Sequence, residues 1–405
     1  MIYEPDTVKG FPEFFPPESQ KFEAIKRIVE DAFTRYGFIP LKTPTIEFDE
    51  LARAENQGTE DEAVSDRFKL QDKGGRNLTL RHEFTYQLAR VFKQHQDIKL
   101  PFRRYQIGSV FRDEPTATGR YREFTQCDID ILGDSSIEAD AECLAAASDI
   151  LKALGIDANI QINNRKLMNA ILDSVQIVQK KEVMRELDKL DKLGEDTVKL
   201  NLKKYADANQ IITLFKLLEK DLAFFMKNLF DGAEELFKLK DLGKWYGYTA
   251  KFNPFLMRGL SYYTGNVFEC KVKESKHSIA GGGRYAGVAG KFIRREIPSV
   301  GISFSIERLM DYAKIPIRKT KVIIISIEQP HATILLAQKL RREGIPALIS
   351  FEKVGKALEY ANAYDIPFAI FVGKDELKKK KFKLKDLQSG VEKEISESTL
   401  FKQLR

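Results

Sequence analysis

Arginine, glutamate and aromatic residues are concentrated in two short segments, 111–114 and 120–124, that are joined by a loop. An arginine at the end of a strand can bind a phosphate through its forked guanidinium, and Arg112 stands at such a position. Glu114 can accept a hydrogen bond from an exocyclic amine, and Phe124 can stack on a base. A solvated hairpin would carry similar charges, so these residues alone do not decide between the two interpretations.

Two glycine-containing segments, 258–265 and 281–285, carry further arginine and tyrosine residues. The three glycines at 281–283 would let a ligand approach the backbone closely, although a flexible turn is the commoner structure for such a run. A third segment, 299–308, alternates small and apolar residues, which would leave one face of a strand flat before a helix presents Arg308. Each segment alone is also compatible with an ordinary turn or strand.

Predicted helices and strands surround these segments. Apolar residues at helical spacing predict a helix over 17–36, and Gly37 stands where a C-terminal glycine belongs. A strand is predicted over 38–46, at a sheet edge because it contains prolines. Residues 104–112 and 124–132 predict neighbouring antiparallel strands. The remaining elements predicted before residue 320 are a helix over 136–154, strands over 158–163, 267–273 and 299–304, and a helix over 306–313.

Changes of pattern predict three domains. The first comprises residues 1–164 and 246–314, in which strands and helices are mixed. Residues 165–245 are rich in leucine and lysine and contain no proline, which predicts a helical insertion. In 320–405 strands alternate with helices, which predicts a small α/β domain with adjacent parallel strands and a final hairpin over 377–396.

Composition excludes several classes of protein. No run of 18 apolar residues occurs, so we expect no membrane partner. Three widely spaced cysteines, Cys127, Cys143 and Cys270, argue against a disulfide framework and suit a reducing cytoplasm. The four histidines lack metal-ligand spacing, so no metal site is assigned. A net charge of +7 is compatible with a polyanionic partner or with a lysine-rich solvated surface.

In combination and order, the segments resemble the motifs of class II aminoacyl-tRNA synthetases. The pattern F-R-x-E followed by R-x-x-x-F is similar to the second motif of that class. It is formed by Phe111, Arg112, Glu114, Arg120 and Phe124. Residues 299–308 resemble the third motif, and the helix over 17–36 with the strand containing Pro44 stands where the dimer-forming first motif belongs.

Further segments resemble one family within this class, the histidyl-tRNA synthetases. Residues 258–265 and 281–285 are similar to its two signature segments, and 80–85 to its loop for the substrate amino group. Residues 126–130 resemble the archaeal and eukaryotic form of the strand that reads the imidazole. Residues 320–405 resemble the family's anticodon-binding domain.

The resemblance implies an α+β catalytic domain with an antiparallel sheet flanked by helices, a helical insertion and a C-terminal α/β anticodon-binding domain. It implies activation of L-histidine with ATP to histidyl-adenylate and pyrophosphate, then transfer of histidine to the 3′ end of tRNA(His). The expected protein is a cytoplasmic homodimer, and Mg²⁺ is expected to accompany ATP.

The same resemblance implies roles for individual residues. Arg112 and Arg258 would be catalytic residues at the α-phosphate, with Arg308 at the γ-phosphate. Glu114 and Phe124 would hold the adenine. The implied histidine site consists of Glu83, Thr85 and Gln126 for the amino group, Asp130 and Tyr263 for the imidazole, and Arg258, Tyr262 and Tyr285 beside them.

Three residues depart from the family pattern: Ser261, Ala286 and Ser305. All are small, so we expect the shape of the pocket to persist. The alternatives are a regulatory subunit of ATP phosphoribosyltransferase, a class II synthetase for proline or threonine, and a tRNA-binding module without activity. The presence of Arg258 and of residues 320–405 argues against the first.

Overall fold

The computed structural model describes residues 5–54, 67–117, 119–257, 263–273, 278–317 and 320–404. The chain divides into two compact units, Met1–Ile315 and Pro316–Arg405. The strands of the first unit are β1 Ile39–Pro40, β2 Ile46–Phe48, β3 Lys69–Gln71, β4 Asn77–Leu80, β5 Phe102–Phe111, β6 Glu123–Leu132, β7 Ala158–Asn164, β8 Ala250–Phe252, β9 Tyr263–Val272, β10 Ser278–Tyr285 and β11 Ser299–Ser305.

Helices pack around these strands. Those of the first unit are α1 Glu18–Arg35, α2 Asp49–Ala54, α3 Gln87–Gln94, α4 Ile137–Ala153, α5 Arg165–Ser174, α6 Lys180–Leu187, α7 Leu190–Leu193, α8 Glu195–Leu202, α9 Ala208–Leu218, α10 Leu222–Lys227, α11 Ala233–Trp245 and α12 Ile306–Tyr312, with a short 3₁₀ turn at Lys291–Ile293. In the described part of the chain, no helix has both the length and the apolar composition of a membrane span.

An eight-stranded sheet dominates the first unit, in the order β1-β5-β6-β11-β10-β9-β7-β8. Its six central strands are antiparallel, whereas β1 and β8 pair in parallel at the two edges. The predicted pairing of β5 with β6 is therefore confirmed. A separate three-stranded sheet has the order β2-β4-β3.

The α1 helix shows how a sequence pattern becomes packing. Ile25, Val29, Ala32 and Phe33 recur at helical spacing, and all four are fully buried in the main core. The core also contains the apolar side of β6 and the alanine-rich α4. Gly37 follows the helix with a φ of 75°, a left-handed conformation that glycine adopts readily. The predicted helix over 17–36 is confirmed.

The structure corrects one prediction in the first unit and decides between two alternatives for a glycine run. The strand predicted over 38–46 is divided into β1 and β2, which belong to different sheets, because Pro40 and Pro44 lack the N–H that a continuous ladder requires. The glycine run 281–283 is not a flexible turn but the middle of β10. A glycine is needed at Gly283 because a Cβ there would lie 2.6 Å from the Asn266 carbonyl oxygen.

The second unit is a smaller α/β structure. Its elements are β12 Val322–Ser326, α13 Pro330–Arg342, β13 Ala347–Ser350, α14 Val354–Ala363, β14 Phe368–Val372, α15 Lys374–Lys379, β15 Lys381–Asp386, β16 Glu392–Ser396 and α16 Glu397–Leu404. The sheet order is β13-β12-β14-β15-β16. The three N-terminal strands are parallel, as predicted.

The final hairpin begins later than predicted. Residues 377–379 belong to α15, and β15 starts at residue 381. Gly373 lies at the start of this helix, and its backbone N–H donates a hydrogen bond of 3.0 Å to the Glu376 carboxylate. Local capping therefore decides the structure of a lysine-rich stretch that the sequence pattern assigned to a strand.

Candidate active site

Alternate residues of β6 face opposite sides of the large sheet, as expected for a strand. Cys127, Ile129 and Ile131 are buried against the helices in the main core. Gln126 and Asp130 are also buried, although they are polar and point to the other face. Because burying a polar group without a partner costs free energy, this row of polar residues marks a candidate site.

Asp130 lies at the centre of a buried hydrogen-bonded group. The Tyr285 hydroxyl donates to its Oδ1 at 2.5 Å, and the Arg104 Nη2 lies 2.6 Å from its Oδ2. The strand register explains this arrangement, because Arg104 on β5 and Gly301 on β11 both pair with Asp130. Burial raises the pKa of the Asp130 carboxyl, while the Arg104 charge and the Tyr285 hydroxyl oppose that shift.

Glycines make room for these side chains. A Cβ at Gly301 would lie 2.1 Å from the Asp130 Oδ1, and one at Gly283 would lie 2.9 Å from the Tyr263 ring. The two glycines pair with each other across β10 and β11. Small residues on the central strands thus leave space for Asp130 and for the ring of Tyr263, which is 8% exposed.

Gln126 is fixed by hydrogen bonds to two strands. Its Nε2 donates to the Ser303 Oγ at 2.8 Å and lies 3.2 and 3.3 Å from the two Asp128 carboxylate oxygens. Among the described residues its Oε1 has no hydrogen-bond partner. Burial raises the pKa of Asp128 to about 7. A positively charged ligand group would find acceptors here.

The loop after β4 adds a further carboxylate. The Glu83 Oε1 accepts a hydrogen bond of 2.7 Å from the Tyr86 backbone N–H, at the start of α3. Burial raises the pKa of Glu83, and hydrogen bonds from Thr85 and Tyr86 oppose the shift. Thr85 itself is buried. Glu83 and Thr85 therefore act as one hydrogen-bonded unit.

Arg112 follows β5 and is held from two sides. Its Nε donates to the His82 carbonyl oxygen at 3.1 Å, and its guanidinium lies 5.1 Å from the centre of the Phe124 ring. This arrangement is a cation–π contact, which fixes the arginine beside an aromatic surface. Arg112 and Phe124 thus lie together, as a phosphate and base site would require.

Glu114 and Arg308 have protein partners. The Glu114 Oε2 forms an ion pair with Arg120 across the loop. The Arg308 Nη1 donates to the Ser278 carbonyl oxygen at 2.8 Å. Ser305, which departs from the family pattern, begins α12 and donates to the Glu307 carboxylate at 2.8 Å. A second departure, Ala286, lines a cavity of about 340 Å³.

Two predicted site residues, Arg258 and Tyr262, lie outside the described residues, as does Ser261. Sequence reasoning also missed two residues that the fold brings to the site, Arg104 and Asp128. Their signal was available in principle, because Asp128 lies two residues from Asp130 and Arg104 pairs with Asp130 across the hairpin. Arg104 is 0% exposed, which no sequence rule would predict for an arginine.

A family model described as histidyl-tRNA synthetase matches residues 10–309, and one described as anticodon binding domain matches residues 319–405. A histidine–tRNA ligase 1 from Bacillus cereus is 37% identical over 423 aligned residues, covering 98% of this chain and 96% of that protein. A histidine–tRNA ligase from Wolinella succinogenes is 35% identical, covering 97% and 96% of the two chains.

Solved structures agree with this similarity. The crystal structure of histidyl-tRNA synthetase from Nostoc sp. PCC 7120 is similar with a TM-score of 0.88 and 29% identity, covering 99% of each chain. A structure described as an ATP phosphoribosyltransferase regulatory subunit/histidyl-tRNA synthetase, from Bacillus halodurans, has a TM-score of 0.77 and 23% identity, covering 91% of this chain and 99% of that one. The latter likeness concerns the fold alone.

Proposed function

The chain belongs to the histidyl-tRNA synthetase family, and from this premise we propose that the polar face of its large sheet activates L-histidine with ATP. The histidine carboxylate attacks the α-phosphate, pyrophosphate leaves, and a hydroxyl at the 3′ end of tRNA(His) then displaces AMP. The enzyme is a histidine–tRNA ligase of class II, and it acts on ATP. The observation that carries the proposal is the position of Arg112 and Phe124 beside the buried polar row of β6.

We propose that ATP binds over Arg112 and Phe124. The Arg112 guanidinium, already fixed by the His82 carbonyl, would contact the α-phosphate, and Phe124 would stack on the adenine. A fixed donor directed at developing charge stabilises the transition state without having to reorganise. Glu114 would exchange its contact with Arg120 for the adenine amine, and Arg308 would bind the γ-phosphate.

Histidine would bind deeper on the same face. Glu83, Thr85 and Gln126 would accept hydrogen bonds from the ammonium group. This matches the Gln126 Oε1, which has no hydrogen-bond partner in the part of the chain that the structure describes. The imidazole would lie against Asp130, Tyr263 and Tyr285, where a carboxylate accepts a ring N–H. Specificity for histidine would therefore come from these side chains and not from the fold class.

Arg258 and Tyr262 complete the proposed site on the basis of family resemblance. Arg258 would reach the α-phosphate opposite Arg112 and offset the negative charge that grows as the carboxylate attacks. Tyr262 would frame the substrate beside it.

Mg²⁺ is proposed to enter with ATP. The part of the chain that the structure describes contains no group of three or more side chains able to hold a metal ion. A Mg²⁺ ion coordinated mainly by phosphate oxygens and water is compatible with such a site, because Mg²⁺ commonly keeps several waters. The ion would offset negative charge on the phosphates and leaving pyrophosphate.

The proposed domains divide this work. Residues 1–164 and 246–314 would catalyse the reaction, 165–245 would form a helical insertion, and 320–405 would bind the anticodon. Lysines in and around β15, some exposed and some half-buried, give the last domain positive charge for a nucleic-acid partner, although Glu392 pairs with two of them.

A second copy of the chain is the proposed partner for the edge of the first unit. Ile39, Ile46 and Phe48 are apolar and exposed near the edge strand β1 and on β2. They lie in or next to the segment that resembles the dimer-forming first motif, which supports association with another protein surface. A cytoplasmic location is proposed because Cys127, Cys143 and Cys270 are buried thiols.

Removal of residues 320–405 tests the proposed division of labour. A shortened chain ending at residue 319 should still form histidyl-adenylate, because the proposed chemistry uses only the first unit. It should charge tRNA(His) poorly at subsaturating tRNA. Charging by the shortened chain at the full-length rate would contradict the anticodon role.

A further inference from the structure

Arg104 is the largest side chain in the described part of the protein that is fully buried. It lies on β5 directly opposite Asp130, and the two groups approach to 2.6 Å. A buried arginine keeps its charge, because its ordinary pKa lies far above neutrality. The site therefore contains a permanent positive charge next to the carboxylate proposed to contact the substrate ring.

The Arg104–Asp130 pair is incomplete as a hydrogen-bonded unit. The Arg104 Nη2 pairs with the Asp130 Oδ2, but the Nε and Nη1 donors of Arg104 have no hydrogen-bond acceptor among the described residues. The Oε1 atoms of Gln106 and Gln126 are also unpartnered. Buried polar atoms are normally satisfied, so this cluster points to a polar ligand or water held between these strands.

Charged and titratable groups reach Arg104 from several elements. Asp128 and Asp130 lie on β6, Tyr285 lies on β10, and Glu83 approaches from the loop before α3. On β11, the residue opposite Asp130 is Gly301, which carries no charge. Glu83 and Asp128 are the carboxyl groups left for the substrate ammonium, whereas the charge of Asp130 is already balanced by Arg104.

This charge balance decides which form of an imidazole fits. A neutral ring has one N–H donor and one nitrogen acceptor, whereas an imidazolium has two donors and a positive charge. Without Arg104, the Asp130 carboxylate would attract the charged ring. With Arg104 beside it, a second buried cation at Asp130 would be repelled and would find the charge of that carboxylate already balanced.

We propose that Arg104 is a positioning residue that holds Asp130 as a charge-balanced acceptor and so makes the site select the neutral imidazole of histidine over the imidazolium. The proposal rests on the proposed function, because it takes Asp130 as the contact of the ring. It adds a residue and a substrate charge state to that function.

The wild-type protein provides the first test. The KM for histidine is compared between about pH 5.5 and 8 with the KM for 1,2,4-triazole-3-alanine, whose ring stays uncharged in this range. Titration of Glu83 or Asp128 affects both substrates, so the ratio of the two KM values isolates the ring charge. Below the ordinary imidazole pKa of about 6.5 the ratio should rise about tenfold per pH unit. A ratio that is constant, or that falls at low pH, would overturn the proposal.

Variants then assign the selection to Arg104. In Arg104→Met the ratio should change by less than about threefold over the same range, because the Asp130 carboxylate can then accept an imidazolium. Arg104→Lys keeps the charge and should retain most of the pH dependence, and it supplies the test if the methionine variant does not fold. Arg103→Met is the matched control, since Arg103 pairs with Glu142 on the other face of the strand.

The outcomes separate this proposal from the proposed function. If Asp130→Asn raises the KM for histidine but Arg104→Met keeps the wild-type pH dependence, then Asp130 reads the ring and the role of Arg104 is wrong. If neither variant alters the KM for histidine while both remain folded, the imidazole site itself is misassigned.

Discussion

The two faces of the eight-stranded sheet are made by the same strands and yet differ in almost every physical respect. On one face, Ile129 and its apolar neighbours are buried against helices α1 and α4. On the other face, Gln126 and Asp130 are equally buried but include polar atoms without partners among the described residues. One face stabilises the fold, whereas burial of polar groups on the other face costs stability, and this second face is the one proposed to bind the substrates.

The comparison teaches where to look for function in a buried sheet. Unsatisfied polar atoms are rare in native proteins, and here most of those on β5 and β6 share one face. They belong to Arg104, Gln106, Gln126 and Asp130, whereas the Nη2 of Arg103 lies on the other face. The C-terminal unit offers a contrast, because alternate residues of β12 enter two apolar clusters on its two faces. A sheet that is apolar on both sides is a scaffold, and its ligand contacts must lie on loops, edges or helices.

The largest expected effect is on the apolar face. Ile129→Ala removes a fully buried side chain from the main core, so the free energy of unfolding should fall by about 2–5 kcal/mol. Urea denaturation measures this loss. The KM for histidine of the folded fraction should stay near the wild-type value. A tenfold change in that KM with unchanged stability would show that the two faces are not separated in function.

Arg112→Ala, on the polar side, should have the opposite effect, in that activity falls while stability is largely kept. Loss of a fixed donor at the α-phosphate should slow single-turnover adenylate formation by about 10²–10³, which corresponds to roughly 3–4 kcal/mol. Stability should change little because the Arg112 side chain is only partly buried. Arg103→Ala, a substitution on β5, the strand that precedes Arg112, is the control. Normal adenylate formation by folded Arg112→Ala would remove this residue from the proposed site.

Asp130→Asn should affect substrate binding more selectively. The amide keeps the size of the side chain but weakens the acceptor for the imidazole N–H, so histidine binding should weaken by about 1–3 kcal/mol. Steady-state exchange kinetics would show a raised KM for histidine and a nearly constant KM for ATP. Equal changes in both constants would mean that the substitution perturbs the whole face and not the ring contact.

His82→Phe, in the loop after β4, should give the smallest effect. Burial, with the nearby Arg112 and Arg67 charges, lowers the pKa of His82 to about 3, and its ring stacks on Tyr86. Between about pH 6.5 and 3 the unfolded chain binds a proton that the folded chain does not. This residue should therefore lower the free energy of unfolding as the pH decreases, by up to about 1.4 kcal/mol per pH unit.

Phenylalanine keeps a ring for stacking but cannot titrate, so the variant should lose this contribution to the acid dependence. Urea denaturation of both proteins at about pH 5 and 6.5 measures the difference. Buried carboxyl groups with raised pKa values, such as Asp128, contribute the opposite slope in both proteins and cancel. An identical pH dependence of stability in the two proteins would mean that folding does not lower the pKa of His82.

The fold was predictable where local pattern and tertiary packing agree. The α1 helix and the β5–β6 hairpin were predicted from apolar spacing and strand composition, and both are present. A strand at residues 281–283 was harder to predict, because glycine has low strand propensity. The place of these glycines in β10 depends on the close approach of neighbouring strands. The short strands β3 and β4 were missed for lack of a long apolar pattern.

The site was predictable only as far as its motifs extend. Family resemblance pointed to Gln126 and Asp130, and the structure adds their burial and partners. Arg104 could not be found in this way, because an arginine in a strand is normally exposed and only the register places it opposite Asp130. Pairing across strands is therefore the information that a single sequence lacks.

The central claim is that the polar face reads histidine, and amino-acid-dependent ATP–pyrophosphate exchange tests it most directly. The full-length protein is supplied with ATP, Mg²⁺ and each of a panel of amino acids that includes proline and threonine. Exchange should occur with histidine and stay at background with the others, because Gln126, Asp130 and Tyr285 provide acceptors matched to its ammonium group and ring. Equal exchange with proline or threonine, or no exchange with histidine, would contradict the account.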